Sequence, residues 1–405
     1  MRAKKLMAVM LSAVLAFSLV ACGENKGTTD NASTDSTTTE ESGEASGTEE
    51  SSDAEAPAAA GGNKVGIAMP TKSLERWNRD GSYLEEQFKS KGYEVSLTYS
   101  DNKIDQQVKD IEGLIADNVN LLVVAAIDGE SLSQVLAQAK EQNIPVISYD
   151  RLIMNTDAIS YYVSFDNYTV GKLQGEFVRD QLDLDNAAGP FNIEFTAGDP
   201  ADNNAGFFFN GAKDALQKYL DEGKLVVQSG QTEFDQVAPQ QWDTSKALTR
   251  FQNILGSNYA DKQLDVALCS NDSTALGVTQ AIESDYNGSN QVIVTGQDGD
   301  EANLQNIVDG KQTMTVYKAV ANEAVATLDL GDAILQGKTP DENLIKEAGW
   351  SFECAYDTSS YDNGTGIIPS YLLVPTVVTK DNIQSELVDT GYYTMGDDGY
   401  PHPVG

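Results

Sequence analysis

From Lys64 onward, short β-rich runs alternate with amphipathic stretches, and this rhythm limits the fold more than any other feature of the chain. Val65-Gly66-Ile67-Ala68-Met69 reads as a buried strand, followed by a helical stretch carrying Trp77, Leu84 and Phe88. Residues 94–99 alternate as a strand does, and Val108, Ile111, Leu114 and Ile115 then share one helical face. Leu121-Leu122-Val123-Val124-Ala125 is a continuous apolar run, the pattern of a central parallel strand covered on both faces. A helix with Leu132, Val135, Leu136 and Ala139 leads to the strand Pro145-Val146-Ile147-Ser148-Tyr149. The rhythm then restarts, with strands predicted at 191–195, 225–227, 265–268 and 292–294 and helices around 205–220 and 245–255. The fold class is therefore α/β, with two doubly wound parallel-sheet units.

The N-terminal segment sets the compartment. Arg2, Lys4 and Lys5 precede an apolar run over 6–20, which is shorter than the ~20 residues that span a bilayer. The run ends in Leu19-Val20-Ala21-Cys22-Gly23, which resembles a bacterial lipobox. This predicts a signal peptide over 1–21 and a diacylglycerol anchor on Cys22. Residues 23–61 hold no apolar side chain larger than Ala or Pro, so they form an acidic tether with nothing to bury. The formal charge of −35 argues against nucleic acid and against electrostatic docking on anionic lipid. The other two cysteines are Cys269 and Cys354. Cys269 ends an apolar run and is expected to be a buried free thiol.

In doubly wound sheets ligands bind beyond the carboxyl ends of the strands. Those positions hold Lys72 and Arg76-Trp77, Asp150-Arg151, Asp199 to Asn204, Ser270-Asn271-Asp272, Gln297-Asp298 and Lys318, with Trp242 in a loop. Such an inventory suits a polyol. Hydroxyls both donate and accept, Asp and Asn answer them, and Arg and Lys supply fixed donors. An aromatic face covers a sugar's C–H patch. Helix capping competes for the same residue types. Asp272-Ser273-Thr274 and Asp202-Asn203 are expected to cap, leaving Asn271 and Asn204 as the stronger ligands. Catalysis is poorly supplied. The single histidine, His402, lies in a terminal tail, and no phosphate loop or His/Cys metal cluster occurs. Asp285, Asn287 and Ser289 are spaced like the start of a calcium loop, but the glycine is misplaced and no glutamate closes it.

Taken in order, Gly66-Ile67-Ala68-Met69-Pro70-Thr71-Lys72-Ser73, Glu75-Arg76-Trp77, Tyr149-Asp150-Arg151-Leu152-Ile153, Asp202-Asn203-Asn204-Ala205, Ser270-Asn271-Asp272, Gly296-Gln297-Asp298 and Met314-Thr315-Val316-Tyr317-Lys318 resemble the type I periplasmic sugar-binding proteins, especially their xylose-binding and multiple-sugar-binding members. The resemblance runs from about residue 64 to 393. It implies two lobes joined by three crossings, near Ser164, Lys318 and Pro369. The first lobe would comprise 62–164 plus about 319–365, the second 165–318 plus about 366–395, with 396–405 as a tail. It further implies that Arg76, Asp150 and Arg151 contact a monosaccharide from the first lobe. Asp202, Asn204, Trp242, Asn271, Asp298 and Lys318 would do so from the second lobe and hinge, and Lys72 is matched by the multiple-sugar members. The implied partners are the permease and ATPase subunits of an ABC transporter, with no cofactor, no enzymatic activity and a monomeric state. A sensor handing sugar to a chemoreceptor or histidine kinase is the alternative. Lipobox and tether suggest a cell-surface lipoprotein on the outer face of the membrane. Around 349–364, Trp350, Phe352, Cys354 and Tyr356 alternate as an edge strand would, without an assigned role.

Overall fold

The computed structural model describes residues Asn63–Val404. The signal segment, the anchor at Cys22 and the acidic tether lie outside the described residues. Strands β1 (Lys64–Met69), β2 (Glu94–Tyr99), β3 (Leu121–Val124), β4 (Val146–Tyr149) and β5 (Ile159–Phe165) open the first lobe. The second lobe is built on β6 (Phe191–Thr196), β7 (Leu225–Val226), β8 (Val266–Cys269), β9 (Ile293–Val294) and β10 (Met314–Tyr317). The chain then returns through β11 (Cys354–Asp357) and β12 (Ser370–Leu373) to the first sheet. It ends in β13 (Thr376–Thr379), β14 (Tyr393–Met395) and β15 (Pro401–Pro403).

The first sheet has the order β11-β12-β5-β4-β3-β1-β2, parallel throughout except for β11. Its pleat divides the side chains between two helical layers. Val65, Ile67 and Met69 face helices Glu75–Ser90 and Val320–Leu335, where they meet Trp77, Leu84, Phe88, Ala324 and Leu328. Ala68, Leu122 and Val124 face Ile111, Leu114 and Leu136 of helices Ile104–Ala116 and Ser133–Glu141. Leu121, Leu122, Val123 and Val124 are all buried, each burial being worth about 1.5–3 kcal/mol.

The second sheet, β7-β6-β8-β9, is likewise parallel, and a bridge from Gln297 to Val316 joins it to the β10–β13 pair. Helices Asn167–Gln181 and Asn203–Asp221 pack with their backbones almost touching. A Cβ on Gly171 would meet the Phe208 carbonyl at 1.9 Å, and one on Gly211 the Tyr168 carbonyl at 2.2 Å.

Four expectations need correction. Strand β5 was not foreseen; β4 reaches it through 150–158 with no intervening helix, so the usual alternation lapses there. The third crossing falls at Val374-Pro375, because β12 still pairs with β5 in the first sheet. The edge strand is confined to Cys354–Asp357, while Trp350 and Phe352 stack with ring centroids 5.1 Å apart. The terminal tail is a β14–β15 hairpin lying on helix Glu301–Asp309, with His402 beside Glu301 and Asp398. Cys269 is buried and free, as expected, and Cys354 is free as well.

Candidate functional site

Strand ends from both sheets converge on a narrow space between the lobes, most of it filled by the side chains that line it. The first lobe contributes Arg76 and Trp77 from the first turn of helix Glu75–Ser90, and Asp150-Arg151 from the end of β4. Asp202, Asn271 and Asp298 come from the ends of β6, β8 and β9, and Lys318 from the end of β10.

The polar side chains are bound to one another across the cleft. Arg76 donates to Asp150 at 2.6 Å and to Asp298, in the opposite lobe, at 3.3 Å. Behind it, Asp80 accepts at 3.2 Å and Glu323 at 3.3 Å. Lys318 donates to Asp150 at 2.7 Å. Arg151 lies 2.9 Å from Asp202, which also accepts from the Trp242 indole at 3.2 Å. The Arg76 and Arg151 guanidinium carbons sit 4.8 and 4.9 Å from the centre of the Trp77 ring.

Burial pushes the Asp150 carboxyl up, but Arg76 and Lys318 outweigh it and hold it below the ordinary carboxylate range. Burial raises Asp298 and Asp202, only partly offset by Arg76 and Lys318 in one case and Arg151 in the other. Glu323 is raised well above its usual value, first by burial and then by Asp150. Such a site presents fixed cationic donors and carboxylate acceptors on opposing walls. No nucleophile and base are paired in it, and among the described residues no cluster of His, Cys, Asp and Glu is arranged to hold a metal.

Residues 65–339 match the family described as periplasmic binding protein domain. The chain belongs to the periplasmic binding proteins. SbpA of Azospirillum brasilense, a multiple sugar-binding periplasmic protein, is 42% identical over 82% of this chain and 89% of its own length. The D-xylose-binding periplasmic protein of Escherichia coli K12 is 32% identical over 82% and 91%. An ABC transporter solute binding protein from Clostridium phytofermentans, solved with bound β-D-glucose, is 50% identical, with a TM-score of 0.77 and coverage of 83% and 99%. The two-lobed architecture of this periplasmic binding protein is that of the type I sugar-binding members, and its relatives are substrate-binding proteins, not enzymes.

Of the ten residues singled out in the sequence, eight line the space of this binding protein: Arg76, Asp150, Arg151, Asp202, Trp242, Asn271, Asp298 and Lys318. Lys72 does not; it is exposed, with its ammonium 4.7 Å from the Tyr99 ring. Asn204 lies behind the wall, donating to the Asp150 carbonyl at 2.7 Å and accepting from Tyr162 at 3.1 Å, so it ties the lobes together. Asp202 caps its helix as expected, whereas after β8 the cap is Asn271 and not Asp272. Asn271 and Asp202 are the N-caps, accepting from the amides of Thr274 and Asn204, while their remaining polar atoms face Asp298 and Arg151. Capping and lining thus coexist in one side chain.

Trp77 and Gln297, noted at strand ends, and Ser273, noted as a cap, also line the space without being among the ten, together with Leu74 and Phe208. Trp77 reads as part of its helix's apolar face as well. A signal for Phe208 was available, because Phe207-Phe208-Phe209 on one helix cannot all face the same core.

Proposed function

We propose that the chain captures an aldose of the glucose or xylose type by closing its two lobes and delivers it to an ABC transporter. In this reading it works on the outer face of a membrane to which a lipidated Cys22 tethers it. The observation that carries the reading is the double ion pairing across the cleft, Arg76 with Asp298 and Arg151 with Asp202. Sugar hydroxyls, acting as donor and acceptor at once, insert between such pairs and satisfy both lobes together. Gln297 offers an Oε1 with no protein partner, and Trp77, Trp242 and Phe208 offer apolar faces for the ring carbons. A ligand that touches both lobes binds the closed form preferentially and shifts the population toward it. Relatives named for multiple sugars, for xylose and for transporter solute binding with glucose support both the ligand class and the transport role.

Two of the three tryptophans line the space, so fluorescence reports on it directly. Titration with glucose, xylose, galactose and arabinose should give a saturable change for at least one of them; a folded protein silent to all four ends this proposal. In cells, a Cys22→Ser chain is expected to leave the membrane fraction, and its retention there would remove the anchor from the scheme.

A further inference from the structure

Asp298 reaches the site from an unusual backbone. Its φ is 107°, outside the ordinary left-handed well, and Gly299 follows at φ 77°. Within the second lobe the loop is anchored through its amides, that of Asp298 donating to the Val316 carbonyl at 3.0 Å. The buried Asp272 carboxylate accepts from the Gly299 amide at 2.8 Å and the Asp300 amide at 2.9 Å. Three of the loop's acceptors are reached from the other lobe. Arg79, one turn beyond Arg76 on helix Glu75–Ser90, donates to the Asp298 carbonyl at 3.4 Å, the Gly299 carbonyl at 3.1 Å and the Asp300 carboxylate at 3.1 Å. Tyr393 of the terminal hairpin completes the cluster, accepting from Arg79 and donating to Gly299. At the start of the same helix Glu75 accepts from the Glu301 amide at 3.1 Å. Neither Arg79 nor Glu75 lines the sugar space.

We infer that Arg79, assisted by Glu75, is a closure latch and a positioning residue: it sets the affinity and residence time of bound sugar by holding the 298–301 loop across the lobes, without touching the sugar. The role rests on the sugar-binding reading given above. These bonds exist only when the lobes are shut, so they stabilise the closed state by the same amount whatever ligand lies inside. A residue contacting sugar changes the ratio of affinities between sugars. A latch lowers them all by one factor and does so mainly through dissociation.

The test compares native protein with Arg79→Met, Asp300→Asn and Glu75→Ala, using calorimetry and stopped-flow fluorescence with glucose and xylose. Hydrogen bonds to charged groups of this kind give an expected weakening of about tenfold to a hundredfold for Arg79→Met and Asp300→Asn. Glu75 is one-third exposed, with 37% side-chain accessibility; it pairs with Arg79 at 3.6 Å and makes one contact across the lobes, and losing it is expected to cost about threefold in affinity. Each factor should be equal for the sugars that bind, with faster dissociation. Combining Arg79→Met and Asp300→Asn should add little beyond either alone. Affinities within twofold of native in all three variants overturn the latch, as does a loss that differs from sugar to sugar. If Arg79→Met does not fold, Asp300→Asn and Glu75→Ala decide by the same criteria. A native protein that binds no sugar overturns the underlying reading, whereas native binding with unaltered variants overturns the latch alone.

Discussion

Asp150, Trp242 and Asp298 line the site at φ values of 56°, 54° and 107°. Among the described residues, and apart from Gln241, the other non-glycine residues with positive φ are Asn or Asp, the types that tolerate it best. Such conformations cost on the order of 1–3 kcal/mol each and persist only where neighbours enforce them. For Trp242 the enforcement is visible. Gln241, at φ 64°, turns the chain, and Gly198 leaves room for the indole, which a Cβ there would strike at 1.9 Å. Gly198→Ala should therefore displace the ring and weaken sugar binding by at least tenfold, while circular dichroism stays native. Arg151→Ala and Trp242→Ala should abolish measurable binding without unfolding the lobes. Calorimetry on the three variants checks this, and native affinity in any of them would remove that residue from the site.

At the scale of elements, the strongest sequence signals were the ones that packing also uses. Residues 94–99 carry their observed limits in the sequence, because strict alternation between an apolar and a polar face marks a half-buried strand. What escaped was non-local. Strand β12 reads as Ser-Tyr-Leu-Leu and carries no mark that its partner is β5, some two hundred residues earlier. The three phenylalanines of helix Asn203–Asp221 show the same limit. Phe209 enters the second-lobe core, Phe208 lines the site, and Phe207 packs across onto the first lobe, with its ring 5.7 Å from Tyr361. Helical spacing announces three directions but not what lies along each. The stretch after residue 349 thereby acquires a structural part: Tyr361 is both core of the first lobe and a contact to the second. Among the site residues, the charged ones were legible because strand-end chemistry and an ordered resemblance agreed. Lys72 also follows a strand, but only the multiple-sugar members match it, and it is the one that lies exposed on the surface.

At the scale of the whole molecule, the buried acids give stability a definite pH dependence. Burial, with Asp298's charge added, lifts the Asp272 carboxyl to about 7, although four donors from Gly299, Asp300, Thr315 and Gln312 pull the other way. Asp202, Asp298, Asp300 and Glu323 are raised too, burial being the main cause in each. A raised acid keeps its proton in the native state after the unfolded chain has lost it, near pH ~4. Its stabilising contribution is complete below that pH and disappears as pH climbs through the folded value, near 7 for Asp272. Asp150 behaves oppositely; its contribution is present above ~4 and is lost only in stronger acid, so it is silent at neutral pH. His402, raised by Asp398 and then Glu301, adds to the same trend, since its charged contacts fade as pH rises through its folded value. The melting temperature should therefore fall from pH 5 to pH 8. A calorimetric series in which it rises over that interval would show the buried acids to be ionised throughout.

The return of the chain to its first sheet also sets an order of events for a polypeptide that emerges N-terminus first. Five strands of the first lobe are available once residue 165 is out, yet their sheet stays open along β5 until β12 arrives at 370–373. Helix Val320–Leu335, which covers Trp77 and Leu84, comes only after the stretch from 167 to 317 has been made. The second lobe can draw together while the first still exposes a bare strand edge and an uncovered apolar face, both templates for association with other chains. Any chain that stops short of Ser370 keeps that edge permanently, so truncated forms should be lost to aggregation or proteolysis rather than persist as half-receptors.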